Sequence, residues 1–169
     1  MESDLPKVMH NIGGKPMLSH VINNASKITD DLILVYSDHI KKYLNNFQNC
    51  KLAYQETQLG TAHAVSVAME LIDDSKYIAV IYGDNPLITP SIICEIFEHL
   101  HFAHASIVTL AFVLELDHQY GRIVLDEDGK FDRIVEHKMA SETEKQIKLC
   151  NSGIMVFAPG ILNKYLTKC

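Results

Sequence analysis

The chain has 169 residues, enough for one domain whose core buries roughly 70% of the surface its unfolded form exposes. Its hydrophobic content of 47% and charged fraction of 21% are those of an ordinary globular protein and exclude a disordered tail-like chain. The net charge of −6 lacks the basic footprint of a nucleic-acid binder, yet it permits a phosphorylated ligand, because backbone N–H groups and a metal ion hold phosphate without a basic surface.

Short apolar runs alternate with amphipathic stretches, which predicts an α/β domain. Pro16 suits the first turn of a helix, and Leu18, Val21, Ile22, Ala25 and Ile28 follow it at helical spacing. Residues 31–36 then read as a buried strand, 38–47 as a short helix and 51–55 as a second strand. Thr61 is a candidate N-cap for a helix with Ala64, Val65, Ala68, Met69 and Ile72 as its apolar stripe. Residues 77–82 form the clearest buried strand, and Thr89 with Pro90 make a cap and first position for a helix continued by Ile92, Ile93, Ile96, Phe97 and Leu100. Residues 105–114 give another apolar strand. The second half changes character: runs at 122–125 and 131–135 flank Asp126-Glu127-Asp128-Gly129, a hairpin signal. A strand at 154–157 and a short helix after Pro159-Gly160 close the chain. The expectation is one domain, with parallel strands first and antiparallel additions later.

No run of about 18 apolar residues could span a bilayer. The first seven residues, from Met1 to Lys7, have no apolar stretch of the secretory type. Cys50, Cys94, Cys150 and Cys169 form no Cys-x-x-Cys pair, so reduced thiols in a cytoplasmic protein are expected.

Three segments could carry chemistry. Tyr82-Gly83-Asp84-Asn85-Pro86 follows the best strand, where ligands of open α/β sheets bind. A carboxylate there, beside a glycine that permits close approach, suits Mg²⁺ bridging phosphate oxygens; the same residues also fit a simple turn before Pro86. In the segment running from Gln55 to Ala64, Gln55 offers the donor and acceptor that a nucleobase edge requires, although a capped strand-to-helix connection explains it equally. Glu136 and Asn151 stand near strand ends in the third set, suited to sugar hydroxyls or simply to solvent. The His99, His101 and His104 cluster falls at a helix C-terminus, where imidazoles favour the dipole and no metal-ligand set accompanies them. Gly-x-Ser-x-Gly, His-Glu-x-x-His and Walker A motifs are absent from the sequence.

Ser3-Asp4-Leu5-Pro6-Lys7-Val8-Met9-His10, Gly14-Lys15-Pro16-Met17, Gln58-Leu59-Gly60-Thr61-Ala62-His63-Ala64, Tyr82-Gly83-Asp84-Asn85-Pro86-Leu87, Tyr120-Gly121-Arg122-Ile123, Val135-Glu136-His137-Lys138 and Asn151-Ser152-Gly153-Ile154 occur in a familiar order. Together they resemble the uridyltransferase domain of the bacterial bifunctional N-acetylglucosamine-1-phosphate uridyltransferase/glucosamine-1-phosphate acetyltransferase family, from residue 3 to about residue 166.

The resemblance implies transfer of UMP from UTP to N-acetylglucosamine 1-phosphate, giving UDP-N-acetylglucosamine for peptidoglycan and lipopolysaccharide precursors. It implies a Rossmann-like nucleotide-diphospho-sugar transferase fold with a mixed, mostly parallel sheet flanked by helices. By position, Asp84 matches the Mg²⁺ ligand and Lys7 a phosphate-contacting lysine. Gln55, Gly60 and Thr61 match the uracil segment, and Tyr82 and Gly83 the segment approaching ribose and phosphate. Gly121, Glu136 and Asn151 match residues that hold the sugar. The family's first strand with its glycine-rich loop, the segment of its second metal ligand and its left-handed β-helix acetyltransferase domain have no match within the 169 residues. Residues 1–169 are therefore expected to be part of a nucleotidyltransferase domain, with slow turnover on their own. A trimer is implied for full-length members. Two other readings stay open: a related sugar-1-phosphate nucleotidyltransferase, and a fragment that keeps part of the site without catalysis.

Overall fold

A computed structural model of the chain describes residues 3–116 and 118–166. The first two residues and Cys169, on which the leader and thiol expectations partly rest, lie outside the described residues.

After a 3₁₀ turn at Lys7–Met9, β1 (Asn11–Ile12) and β2 (Lys15–Pro16) form a minimal antiparallel pair. Gly13 and Gly14 turn it with φ of 57° and 83°, a region that glycine enters without strain. Helix α1 (Met17–Ala25) starts directly after Pro16 and buries Leu18 and Val21. Strands β3 (Ile33–Tyr36) and β4 (Lys51–Tyr54) pair in parallel, as expected of the first half. Between them the single expected helix is two pieces, α2 (Asp38–Lys41) and a 3₁₀ turn at Leu44–Asn46. Ile40 and Phe47 both bury in one cluster with Met9 and Leu18, and that packing outweighs the weak helix preference of Asn45 and Asn46.

Helix α3 (Thr61–Ala68) corrects one expectation. Its N-cap is Gly60, with φ 110° and ψ −178°, and Thr61 is the first helical residue. The glycine makes an entry turn that an L side chain resists, so the threonine hydroxyl is left for another partner. Strand β5 (Ile78–Val80) is shorter than the 77–82 run predicted for it. Helix α4 (Pro90–Phe102) begins as its sequence predicts: Pro90 takes the first position, and the Thr89 hydroxyl accepts the Ile92 N–H at 3.3 Å. Its Ile93, Ile96 and Leu100 pack with Ile88, Ile154 and Val156 as the main core.

The rest of the chain is β6 (Ile107–Val113), β7 (Arg122–Leu125), β8 (Phe131–Val135), α5 (Glu142–Lys145), β9 (Leu149–Phe157) and α6 (Ile161–Leu166). The predicted hairpin joins β7 and β8. Asp126 organises its turn by accepting from the N–H groups of Asp128 at 3.0 Å and Lys130 at 2.8 Å.

Strand β9 is the axis of the larger sheet. Its second half lies between β5 and β6, with Phe157 opposite both Ile78 and Ile107; in its first half Cys150 stands opposite Phe112 of β6 and Arg122 of β7. All these pairs are antiparallel, whereas a mostly parallel sheet was expected. The α/β class holds, but β3 with β4 is the parallel pair among the described residues. The reason is the length and burial of β9, whose Cys150 and Val156 are fully enclosed: it fills the space between β5 and β6, which run the same way on either side of it.

Arg122, only 2% exposed, anchors the loop before β7 by donating to the carbonyls of Tyr120, His118 and Lys145. No described helix is long and apolar enough to cross a membrane.

Candidate active site

The register of β5 on β9 decides what the glycine-aspartate loop meets. Val80 lies opposite Met155, so two residues further Tyr82 arrives beside Gly153. The contact is close: a Cβ built on Gly153 would stand 2.6 Å from Cζ and 2.9 Å from the hydroxyl oxygen of Tyr82. Gly153 also has φ 79°, so both space and backbone require glycine there. From this seat the Tyr82 hydroxyl reaches Thr61 Oγ1 at 2.8 Å, tying the strand-end loop to the first turn of α3. Gly83 packs its backbone near Leu18 and Val8, where a Cβ would come within 3.1 Å of Leu18 Cδ1.

Asp84, two residues beyond Tyr82, pairs with Lys7 at 2.6 Å between Nζ and Oδ2. The hydrogen bond to Asp84, and then its charge, hold the Lys7 ammonium above the usual lysine pKa. The side chains are 64% and 29% exposed, so solvent screens the pair and its value for stability is small. What it provides is placement of a cation and a carboxylate at one strand end, facing solvent. Among the described residues no three His, Cys, Asp or Glu side chains gather as a metal cage.

Gly121, Glu136 and Asn151 meet at the first half of β9, on the same edge that β5 occupies along its second half. The Asn151 N–H donates to the Gly121 carbonyl at 2.9 Å, and a Cβ on Gly121 would lie 3.2 Å from Glu136 Oε1. Asn151 Oδ1 accepts from Thr109 Oγ1 and from the Gly153 N–H, each at 3.0 Å. With its oxygen held, the Asn151 amide presents its nitrogen as a donor.

Gln55 follows β4 and is 8% exposed. Its N–H donates to the Tyr36 carbonyl at 2.7 Å, extending the parallel ladder. Its side-chain nitrogen lies 3.0 Å from His63 Nδ1 and 3.5 Å from the Gly60 carbonyl.

A cleft of about 440 Å³ opens along this surface, lined by Asp84, Pro86, Phe112, Tyr120, Ser152 and Ile154 among others. It is open and mostly apolar, with Asp84, Asn85, Tyr120 and Ser152 as its polar groups. The fold thus brings Lys7 to Asp84, Tyr82 to Thr61, and Gly121 to Glu136 and Asn151. Of the expected site residues only Asp84 lines this cleft; Gln55 bonds toward Gly60, and Thr61 joins that turn to Tyr82, two residues before Asp84. Thr109 was missed by sequence reading, since a lone threonine in an apolar strand carries no motif. Gly153 and His63 lie inside the quoted motifs, but their partners, Tyr82 and Gln55, are set by tertiary register. The His99, His101 and His104 cluster gathers no metal set among the described residues.

An α/β sheet with a carboxylate and a lysine at a strand end, beside an open cleft, is an arrangement suited to a phosphorylated ligand. Residues 1–125 match the MobA-like NTP transferase domain, and the chain belongs to that family. It is similar to the bifunctional protein GlmU of Bordetella petrii, 38% identical over 99% of this chain and 38% of the relative. It is likewise similar to GlmU of Thermoanaerobacter pseudethanolicus, 39% identical over 98% of this chain and 37% of that protein. The chain therefore spans well under half the length of these relatives. The crystal structure of HddC from Yersinia pseudotuberculosis shares the fold, with a TM-score of 0.71 at 23% identity over 98% of this chain and 72% of that one.

Proposed function

We propose that the chain forms most of a site that transfers UMP from UTP to N-acetylglucosamine 1-phosphate, yielding UDP-N-acetylglucosamine and pyrophosphate. The observation that carries this reading is the Tyr82 loop, which lies between two groups of polar residues: Thr61 on the α3 side, and Gly121, Glu136 and Asn151 on the β9 side. A nucleotide bound along α3 and a sugar phosphate bound along β9 would then meet at Asp84.

In the reaction a phosphate oxygen of the sugar phosphate attacks the α-phosphorus of UTP. The new P–O bond forms as the bond to the bridging oxygen breaks, and pyrophosphate leaves with the electron pair. No side chain needs to form a covalent bond; positioning and neutralisation of charge suffice. Gln55, Gly60 and Thr61 receive the base, while Tyr82 and Gly83 border the ribose and phosphates. Lys7 offsets phosphate charge, exchanging Asp84 for a phosphate oxygen, and Gly121, Glu136 and Asn151 orient the sugar. The donor set fits Mg²⁺: this ion is commonly held by one or two carboxylates plus substrate phosphates, and Asp84 supplies one carboxylate at the strand end. When bound there it would screen the phosphates and polarise them toward attack. A reaction that consumes UTP belongs in the cytoplasm, where its product would feed cell-envelope precursors.

Pyrophosphate release tests the reading. Release should require UTP, N-acetylglucosamine 1-phosphate and Mg²⁺ together. Asp84→Asn, which keeps shape and removes charge, should lower the rate about a hundred-fold or more. Equal rates with glucose 1-phosphate would displace the sugar assignment, and an unimpaired Asp84→Asn would remove Asp84 from the mechanism.

A further inference from the structure

Gln55 can face a ligand in either of two ways, because its carboxamide carries a donor at one end and an acceptor at the other. Its side-chain nitrogen lies 3.5 Å from the Gly60 carbonyl, which can only accept, and 3.0 Å from His63 Nδ1. With the nitrogen placed there, Nδ1 accepts as well, and the imidazole proton belongs on Nε2. The two hydrogens of the amide nitrogen are thus both directed to protein acceptors. Gln55 Oε1 makes no hydrogen bond among the described residues, and it is not among the buried side-chain atoms left without a partner. It stays open as an acceptor.

We infer that His63 is a positioning residue: by holding the Gln55 amide nitrogen, it presents Gln55 Oε1 to the base and so selects bases that offer a ring N–H. This rests on the assignment of the 55–61 segment to the nucleobase. Uracil carries such a donor at N3, flanked by carbonyl oxygens, whereas cytosine carries a bare acceptor at the same ring position. Accepting cytosine requires the amide to turn over. That would set the amide oxygen against the Gly60 carbonyl, two acceptors face to face, and would keep the His63 bond only if the imidazole proton moved to Nδ1. A buried site built for one hydrogen-bonding pattern rejects the opposite one strongly. His63 sits in the first turn of α3 and is half-buried, so its ring is carried by the same helix whose entry Gly60 shapes. Substitution of His63 therefore alters which way Gln55 points without touching the base directly.

Two measurements test this. In the ligand-free chain, nitrogen NMR of His63 should show the Nε2–H tautomer, with Nδ1 coupled to a slowly exchanging Gln55 side-chain proton. A proton on Nδ1 overturns the inference whatever the chain binds. Calorimetry should then show a preference for UTP over CTP. His63→Leu, which keeps bulk and removes the acceptor, should cut that preference about ten-fold or more. His63→Asn, whose Oδ1 stands near the place of Nδ1, should restore most of it. A His63→Leu chain that melts lower but keeps the full UTP preference reduces His63 to a structural residue and overturns the inference alone. A wild-type chain with the expected tautomer that binds neither nucleotide overturns the nucleotide-site assignment and, with it, the base-selection role.

Discussion

Tyr82 shows how one side chain joins parts of the molecule that no strand connects. Its ring lies on Gly153 of β9, and its hydroxyl bonds Thr61 at the start of α3. The absence of a side chain at 153 is what leaves room for the ring, so Gly153→Ala should push Tyr82 off Thr61. The φ of 79° adds backbone strain to the clash, together costing about 1–3 kcal/mol. Pairing Gly153→Ala with Tyr82→Leu separates the two effects. If crowding of the ring dominates, the double variant should recover part of the melting temperature lost by Gly153→Ala. Fully additive losses would assign the cost to backbone strain and leave the ring's seat without energetic meaning. Lys7 and Asp84 are the opposite case: an exposed pair whose energy is small and whose value lies in where its charges stand.

Among the elements, α5 is started by local chemistry and tied to β7 and β8 by Arg122 and Arg133. Ser141 and Glu144 form a complete capping box, with the Ser141 hydroxyl accepting the Glu144 N–H and Glu144 Oε2 accepting the Ser141 N–H at 2.7 Å. Hydrogen bonds from the Ser141 hydroxyl and N–H, then from Arg133, lower the Glu144 pKa to about 2. Because the folded value is depressed, the stabilising effect is fully present above the usual glutamate range near 4.3 and is lost as pH falls through about 2. A carboxyl NMR titration should therefore find Glu144 still ionised at pH 3, with Ser141→Ala moving its titration upward. A normal titration in the wild type would mean that the box does not persist in solution. Helix α5 was not anticipated from the sequence, whereas α4 was legible, since Thr89 and Pro90 state its start in two residues. Helix α2 was not, because burial of Ile40 and Phe47, seven residues apart, is satisfied by a broken helix as well as by a continuous one.

Across the whole molecule the strands fall into separate sheets. Strand β3 pairs with β4 and β5 pairs with β9, and among the described residues neither has a ladder partner on its other side. Open edges of apolar strands invite pairing with another chain. The chain by itself should associate as its concentration rises, visible as a growing sedimentation coefficient. Extension at the N-terminus by a segment that pairs with these edges should raise the melting temperature and give a monomer. A chain that sediments as a monomer at all concentrations, and melts no lower than the extended form, would mean these edges are protected and need no partner.

Most of the longer elements and the hairpin turn at Asp126 were readable from the chain, because each rests on short-range chemistry, whereas the β1–β2 pair and α5 were not anticipated. Caps, turn glycines and apolar spacing act within a few residues, and the quoted motifs name most of the side chains that edge the cleft. The position of β9 was not readable. The strand was expected only at 154–157, because Asn151, Ser152 and Gly153 interrupt the apolar pattern of Leu149–Phe157; a short apolar run fits a parallel or an antiparallel place equally, and its burial is decided by which neighbours leave room. From that single placement follow the antiparallel sheet, the seat of Tyr82 on Gly153 and the grip of Thr109 on Asn151. The orientation of Gln55 is of the same kind. Its sequence supplies a donor and an acceptor, and only the return of α3 beside β4 puts Gly60 and His63 where they determine which of the two is left free.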